Sequence, residues 1–193
     1  MYKRQHKACT HLKDRLRAGA RVPADGLQVT ATTEEEVSSM DERSRHAYGA
    51  QFVEVRVDPD SGEVVVDRML GVFAAGRILN ARLARSQFLG GMTWGVGMAL
   101  TEVAHWDPVG GDVGNRDFAT YHVAVNADVR EMAAEWLDEP GEDLTPIGGK
   151  GLGELGIVGA AAAVANAVRD ATGVRIRDLP IQPDALVGSM PRG

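Results

Sequence analysis

Cysteine, aromatic side chains and long apolar runs are all scarce in this chain. Of its 193 residues, Cys9 is the single cysteine. That excludes an internal disulfide framework, and also an iron–sulfur cluster or Cys-based zinc site built within the chain, since each needs several sulfur ligands at defined spacing. Arg, Gly or Thr interrupts every apolar stretch well short of the roughly 20 residues that a membrane helix requires. Basic residues near the start are not followed by the apolar core of a signal peptide, so the default expectation is a cytoplasmic chain. Cations are also the minority charge. Lys and Arg number 21 against 27 Asp and Glu, a net charge of −6, so no polybasic face for nucleic acid is implied. What is present, 44% hydrophobic residues in a chain of one-domain length, is enough to build a core without staples.

Texture changes along the chain. Residues 1–46 form a charged lead-in. Basic residues dominate to Asp25, and Glu34, Glu35 and Glu36 turn it acidic, which reads as a charged helix followed by a flexible linker. From there to residue 188 the sequence is that of a folded domain, and 189–193 is a tail. Gln51–Val57 alternates apolar and polar residues, Val64–Phe73 is a second β-rich run, and Asp58–Gly62 supplies turn residues between them. Together they predict an antiparallel hairpin. Leu83, Phe88, Trp94, Val96, Met98 and Leu100 recur at helical spacing, with Trp94 and Trp136 read as core residues. Gly90, Gly91, Gly95 and Gly97 lie inside that helix. Each costs about 1 kcal/mol against alanine, so the group points to close approach by another backbone or a cofactor, or to tight helix packing alone. Tyr121–Val125 and Ala134–Leu137 read as short strands, and Glu139–Gly149 as a polar loop. A small-residue helix is expected from about Leu155 to Ala171, with Val158, Ala161, Val164, Ala165 and Val168 on one stripe and Gly173 as its stop. Strands and helices without strict alternation predict an α+β fold.

The segment Gly148-Gly149-Lys150-Gly151-Leu152-Gly153-Glu154-Leu155-Gly156 is the most unusual in the chain. Gly151-x-Gly153-x-x-Gly156 matches the dinucleotide fingerprint, but a Pro- and Gly-containing loop precedes it where a buried strand should stand. Val174-Arg175-Ile176-Arg177 occupies the region of the expected ribose-binding acid. A phosphate-binding P-loop fails as well, because Gly151 follows Lys150 in place of Ser or Thr. The physical content survives. Glycines let backbone N–H groups approach an anion, a helix starting there would aim its positive end at the same spot, and Lys150 would add a point charge. By itself Glu154 reads as a capping carboxylate in a first helical turn or as a reacting group, and capping is the commoner role. His105 and His122 lack a second histidine at metal-ligand spacing and read as core or surface residues.

Lys150–Gly159, the alanine-rich run to Val168, and Arg177-Asp178-Leu179-Pro180-Ile181 closely resemble the C-terminal end of the molybdenum-binding subunit of the xanthine dehydrogenase and aldehyde oxidase family. Gly49–Asp58, Gly76–Asn80 and Ser86–Gly91 match the same subunit in the same order, and the likeness runs from about Leu12 to Val187. It looks closest to bacterial periplasmic-type aldehyde oxidoreductases.

The resemblance implies an α+β portion of the second molybdopterin-binding domain, an antiparallel hairpin and mixed strands packed with helices. It implies a molybdenum–molybdopterin cytosine dinucleotide cofactor, with the metal held by the pterin dithiolene and by no side chain of this chain. Glu154 falls at the family's catalytic base, which takes a proton from a hydroxyl on molybdenum before attack on an aldehyde or heteroaromatic carbon. Arg77, Ile78, Leu79, Asn80, Ala81, Arg82 and Leu83, with Gln87, Lys150, Gly151, Leu152 and Gly153, fall where the family holds the pterin and its dinucleotide tail. With one cysteine here, the resemblance places Fe–S clusters and FAD on separate partner subunits, in a cytoplasmic or periplasmic complex with neither nucleic acid nor membrane as partner. Family subunits are several hundred residues longer on the N-terminal side, and Met1–Gln5 does not resemble them. The expectation is therefore a fragment of a longer polypeptide, inactive and without cofactor when isolated. The competing readings are a non-catalytic structural or interaction module that kept the fold, and a GxGxxG nucleotide-binding domain.

Overall fold

The computed structural model describes residues 2–34, 46–139, 145 and 147–190. The charged lead-in opens with helix α1 (Tyr2–Arg17). The acidic stretch expected to act as a linker falls almost wholly outside the described residues.

The expected hairpin is present as β1 (Tyr48–Val57) and β2 (Val64–Ala74), antiparallel from Tyr48↔Ala74 to Val57↔Val64, with a register shift between Glu54 and Val55. Alternation explains β1: Gln51, Val53, Val55 and Val57 turn inward while Phe52, Glu54 and Arg56 face out. The turn is closed by Asp58, whose Oδ1 accepts the N–H groups of Asp60 and Ser61 at 2.8 and 2.9 Å. Strand β2 is central. Its other neighbour is β5 (Val129–Trp136), paired in parallel from Val66↔Val129 to Phe73↔Trp136. A parallel partner requires a long crossover, and helix α2 (Ala81–Leu100) lies in it. On the outer face Arg56 forms a two-bond pair with Asp67, and Arg68 pairs with Glu54, so that face is a charged ladder.

Helix α2 buries the stripe Ala84, Phe88, Met92, Val96 and Ala99. Phe88 stacks on Phe73 with centroids 4.4 Å apart and approaches Trp136 at 6.3 Å. This stripe corrects the expected apolar face, because Leu83, Trp94 and Met98 lie on the other side and Trp94 is 62% exposed. Trp136 is half-buried against the core. The helix glycines have a specific neighbour. A Cβ at Gly91 would stand 2.9 Å from the Ile157 nitrogen, and one at Gly95 would stand 2.3 Å from the Ala160 Cβ, so the chain entering α3 packs directly onto the α2 backbone.

Helix α3 spans Ala160–Thr172 and ends at Gly173, whose φ of 73° and N–H bond to Arg169 form the expected left-handed cap. It begins later than the expected Leu155. Residues 153–159 are turns, tied by bonds from Leu155 N–H to Leu152, Ile157 N–H to Glu154 and Ala160 N–H to Ile157 carbonyls. Each spans three residues instead of four, and the Gly156 backbone packs against that of Phe88. Val158, expected on the buried stripe, is therefore 74% exposed, while Ala161, Val164 and Val168 are buried.

Tyr121–Val125 is not a strand. The Tyr121 N–H donates to the Asp117 carbonyl and the Val125 N–H to Asp128 Oδ2, so local turn bonds take backbone donors that strand pairing would use. A two-residue ribbon, β3 (Trp106–Asp107) with β4 (Asp112–Val113), and the short helix α4 (Pro183–Leu186) complete the described elements. Among the described residues, no helix is long and apolar enough to cross a membrane.

Candidate functional site

The end of β2 is where two distant parts of the sequence meet. Lys150 N–H donates to the Ala75 carbonyl at 2.9 Å and Arg77 N–H to the Gly148 carbonyl at 2.8 Å, flanking an antiparallel bridge between Gly76 and Gly149. Gly76 has φ +67°, and a Cβ there would stand 2.5 Å from the Gly148 oxygen, so this junction requires glycine. The Thr145 hydroxyl donates to the Gly149 carbonyl and fixes the approach of the glycine-rich turn. Three residues beyond Arg77, extended Asn80 accepts the Leu83 N–H at 3.0 Å and starts α2.

Between the α2 entrance and the glycine-rich turn lies a cleft of about 410 Å³. Arg77, Ile78, Leu79, Asn80, Leu83 and Gln87 line one side, and Lys150, Gly151, Leu152 and Gly153 the other. Ten of the twelve residues expected around the dinucleotide thus share one cavity. Ala81 and Arg82, on the first turn of α2, are exposed and do not line it. Ala84, Ile147 and Gly149 line it as well, beyond the residues expected. Gly149 was signalled by the Gly148-Gly149-Lys150-Gly151 run, whereas Ala84 and Ile147 carried no polar or spacing signal.

Among the lining residues Arg77 and Lys150 are ionisable, and both are cations. The Lys150 ammonium lies 5.4 Å from the centroid of the Tyr48 ring, and the Tyr48 hydroxyl donates to Glu139 Oε2 at 2.8 Å. That bond, reinforced by desolvation and by the Glu139 charge, raises the Tyr48 phenol above its ordinary 10.0. The helix whose N-terminus adjoins the cleft is α2. This corrects the expectation that a helix starting at Leu155 would supply the dipole. Gly151 and Gly153 leave the cavity open. A Cβ at Gly151 would meet nothing within 4 Å, and one at Gly153 would meet only Gln87 Oε1 at 4.0 Å. Two cations, glycine N–H groups and no acidic side chain among the lining residues suit a ligand that carries phosphates.

Glu154 follows Gly153 directly but lies on the exposed turn outside the cleft wall. Its turn is held from two sides. Gln51 Nε2 donates to the Gly156 carbonyl at 2.9 Å, and the Gly156 backbone lies against Phe88 of α2. Gln51 Oε1 is buried with no partner among the described residues. His105 and His122 are exposed, and no group of three or more His, Cys, Asp or Glu is placed to hold a metal among the described residues. Among the described residues, the GxGxxG glycines do not directly follow a strand, since β5 ends at Trp136, and the parallel β2–β5 pair does not restore that motif.

The chain carries a molybdopterin cofactor-binding domain. The family model of that description matches residues 5–130. A stretch of 150 residues is 47% identical to the aldehyde oxidoreductase molybdenum-binding subunit PaoC of Escherichia coli, covering 78% of this chain and 20% of that one. A xanthine dehydrogenase molybdenum-binding subunit from Escherichia coli is 39% identical over 140 residues, 72% of this chain and 18% of the relative. Among solved structures, the aldehyde oxidoreductase from Desulfovibrio desulfuricans superposes with a TM-score of 0.67 at 28% identity, over 75% of this chain and 16% of that one. This chain therefore belongs to the molybdenum-binding subunits of the xanthine dehydrogenase and aldehyde oxidase family. It spans about a fifth of the length of the curated relatives it matches.

Proposed function

We propose that the chain forms part of a molybdenum hydroxylase, an oxidoreductase acting on a small aldehyde or heteroaromatic substrate. Its part is to hold a molybdopterin cytosine dinucleotide and to carry the general base. The observation that carries this reading is the cationic, glycine-walled cleft joining Arg77–Gln87 to Lys150–Gly153, with Glu154 on the next residue of the chain.

In this reading Arg77 and Lys150 neutralise the phosphates of the dinucleotide tail, while Asn80 and Gln87 offer amide groups to its polar edges. Gly151 and Gly153 admit the ligand next to the backbone. The cofactor, when bound, supplies the Lewis acidity and the two-electron redox chemistry of the reaction. Glu154 receives a proton at a carboxylate oxygen, a step worth about 10²- to 10⁴-fold for a well-placed base. Gln51 and the Phe88 backbone fix the turn from which that carboxylate projects. Electrons leave through Fe–S and FAD groups outside this stretch, on partner subunits in this reading, since Cys9 alone builds no cluster within it.

The test of cofactor binding uses the subunit at its relatives' length, assembled with its partners. Gly151→Val and Arg77→Ala are expected to lower cytidine nucleotide and molybdenum content per subunit while leaving the far-ultraviolet dichroism unchanged. Full cofactor content in both variants contradicts the assignment.

A further inference from the structure

We propose that Tyr48, held by Glu139, is a positioning residue for the ammonium of the cleft-lining Lys150, the cation assigned above to an anion. The inference rests on the cleft reading above, and it adds a residue from outside the cleft wall.

Lys150 lines the cavity with a flexible side chain whose ammonium needs a reason to stay there. Tyr48 supplies one. It opens β1, opposite Ala74, next to the strand end from which Ala75 accepts the Lys150 N–H. Its ring faces the ammonium at 5.4 Å to the centroid, within cation–π range. The ring is anchored in turn, because its hydroxyl donates to Glu139 Oε2 at 2.8 Å, just past the end of β5. Proton sharing with a carboxylate makes the phenol more electron-rich, which strengthens its attraction for a cation. Resting on a ring face leaves the N–H donors of the ammonium free for an anion, whereas an ion pair with a carboxylate would consume them. An exposed cation–π contact is worth about two- to fivefold in a binding equilibrium.

The test uses the subunit at its relatives' length, prepared without cofactor and with carbon-13 in its lysines, with inorganic pyrophosphate as the probe and the Lys150 signal identified by its loss in Lys150→Met. In the wild type, the Lys150 Cε protons are expected upfield of the other lysines through the ring current of Tyr48. The shift shrinks in Tyr48→Phe, which keeps the ring and loses its bond to Glu139, and disappears in Tyr48→Leu. Pyrophosphate titration is expected to weaken about two- to fivefold in Tyr48→Leu and by a smaller factor in Tyr48→Phe. Lys150→Met should weaken it at least as much as Tyr48→Leu does. Absence of the upfield shift in the wild type overturns the positioning role without any variant. So does a Tyr48→Leu affinity equal to wild type when Lys150→Met has lost affinity, and in that case the cleft reading stands. If the wild type binds no pyrophosphate, or Lys150→Met binds it unchanged, the assignment of Lys150 to an anion fails, and the role of Tyr48 falls with it.

Discussion

Gly156 lies against Phe88 so closely that a Cβ at position 156 would stand 2.6 Å from the Phe88 carbonyl oxygen. Two segments far apart in sequence are thereby locked backbone to backbone. One is the α2 helix that walls the cleft, and the other is the turn that carries Glu154.

Gly156→Ala must separate those backbones, and we expect a loss of about 1–3 kcal/mol in stability. The control is Gly90→Ala in the middle of the same helix, where a Cβ meets nothing within 4 Å. Removal of a helical glycine there should stabilise by about 0.5–1 kcal/mol. Urea denaturation of both variants checks the contrast. Equal effects would mean that close approach is not what the glycine at 156 serves.

Phe88 is fully buried, stacked on Phe73 and adjacent to Trp136, so it ties α2 to both β2 and β5. Phe88→Ala is expected to cost about 3–5 kcal/mol. Phe88→Leu, which keeps most of the volume, should cost clearly less. Thermal or urea unfolding of the pair distinguishes loss of packing from a general intolerance at the site.

Asp67 is held below its ordinary 3.8, first by its hydrogen bonds from Arg56 and then by the charges of Arg56, Arg130 and Arg68. A carboxylate with a depressed folded value stabilises fully above its unfolded value, and that contribution disappears as the pH falls through the folded one. Asp67→Asn should therefore be less stable than wild type at neutral pH, with the difference shrinking as the pH drops below about 4. Denaturation midpoints measured across that range provide the check, and a constant difference would contradict the assigned cause.

The parts of this fold legible in the sequence were those with local causes. Alternation in Gln51–Val57 and the Asp58–Gly62 turn are sufficient to specify the hairpin, and Gly173 ends α3 where its conformational freedom predicts. What was not legible depends on partners distant in sequence. The expected strand Ala134–Leu137 overlaps Val129–Trp136 only at Ala134–Trp136, because the partner of β5 in parallel pairing is β2 and its own alternation is weak. Tyr121–Val125 is an exception with a local cause: its composition is strand-like, yet Asp117 and Asp128 take backbone N–H groups at its two ends. The delayed start of α3 follows from Gly156 packing on Phe88, a tertiary contact that helical periodicity does not reveal. Site residues were read through ordered motifs, and their meeting in one cleft depends on the Gly76–Gly149 bridge. Gln51, Tyr48 and Glu139 carried no signal of their own, since each acts on a residue far along the chain.

The measurement closest to the central claim is Glu154→Gln in the subunit at its relatives' length, assembled with its partners and assayed for both cofactor content and single-turnover reduction by substrate. The substitution preserves shape and removes the proton acceptor. We expect molybdenum and cytidine nucleotide content to match wild type while the reduction rate falls about 10²- to 10⁴-fold. A Glu154→Gln variant that holds its cofactor and turns over at the wild-type rate would contradict the account.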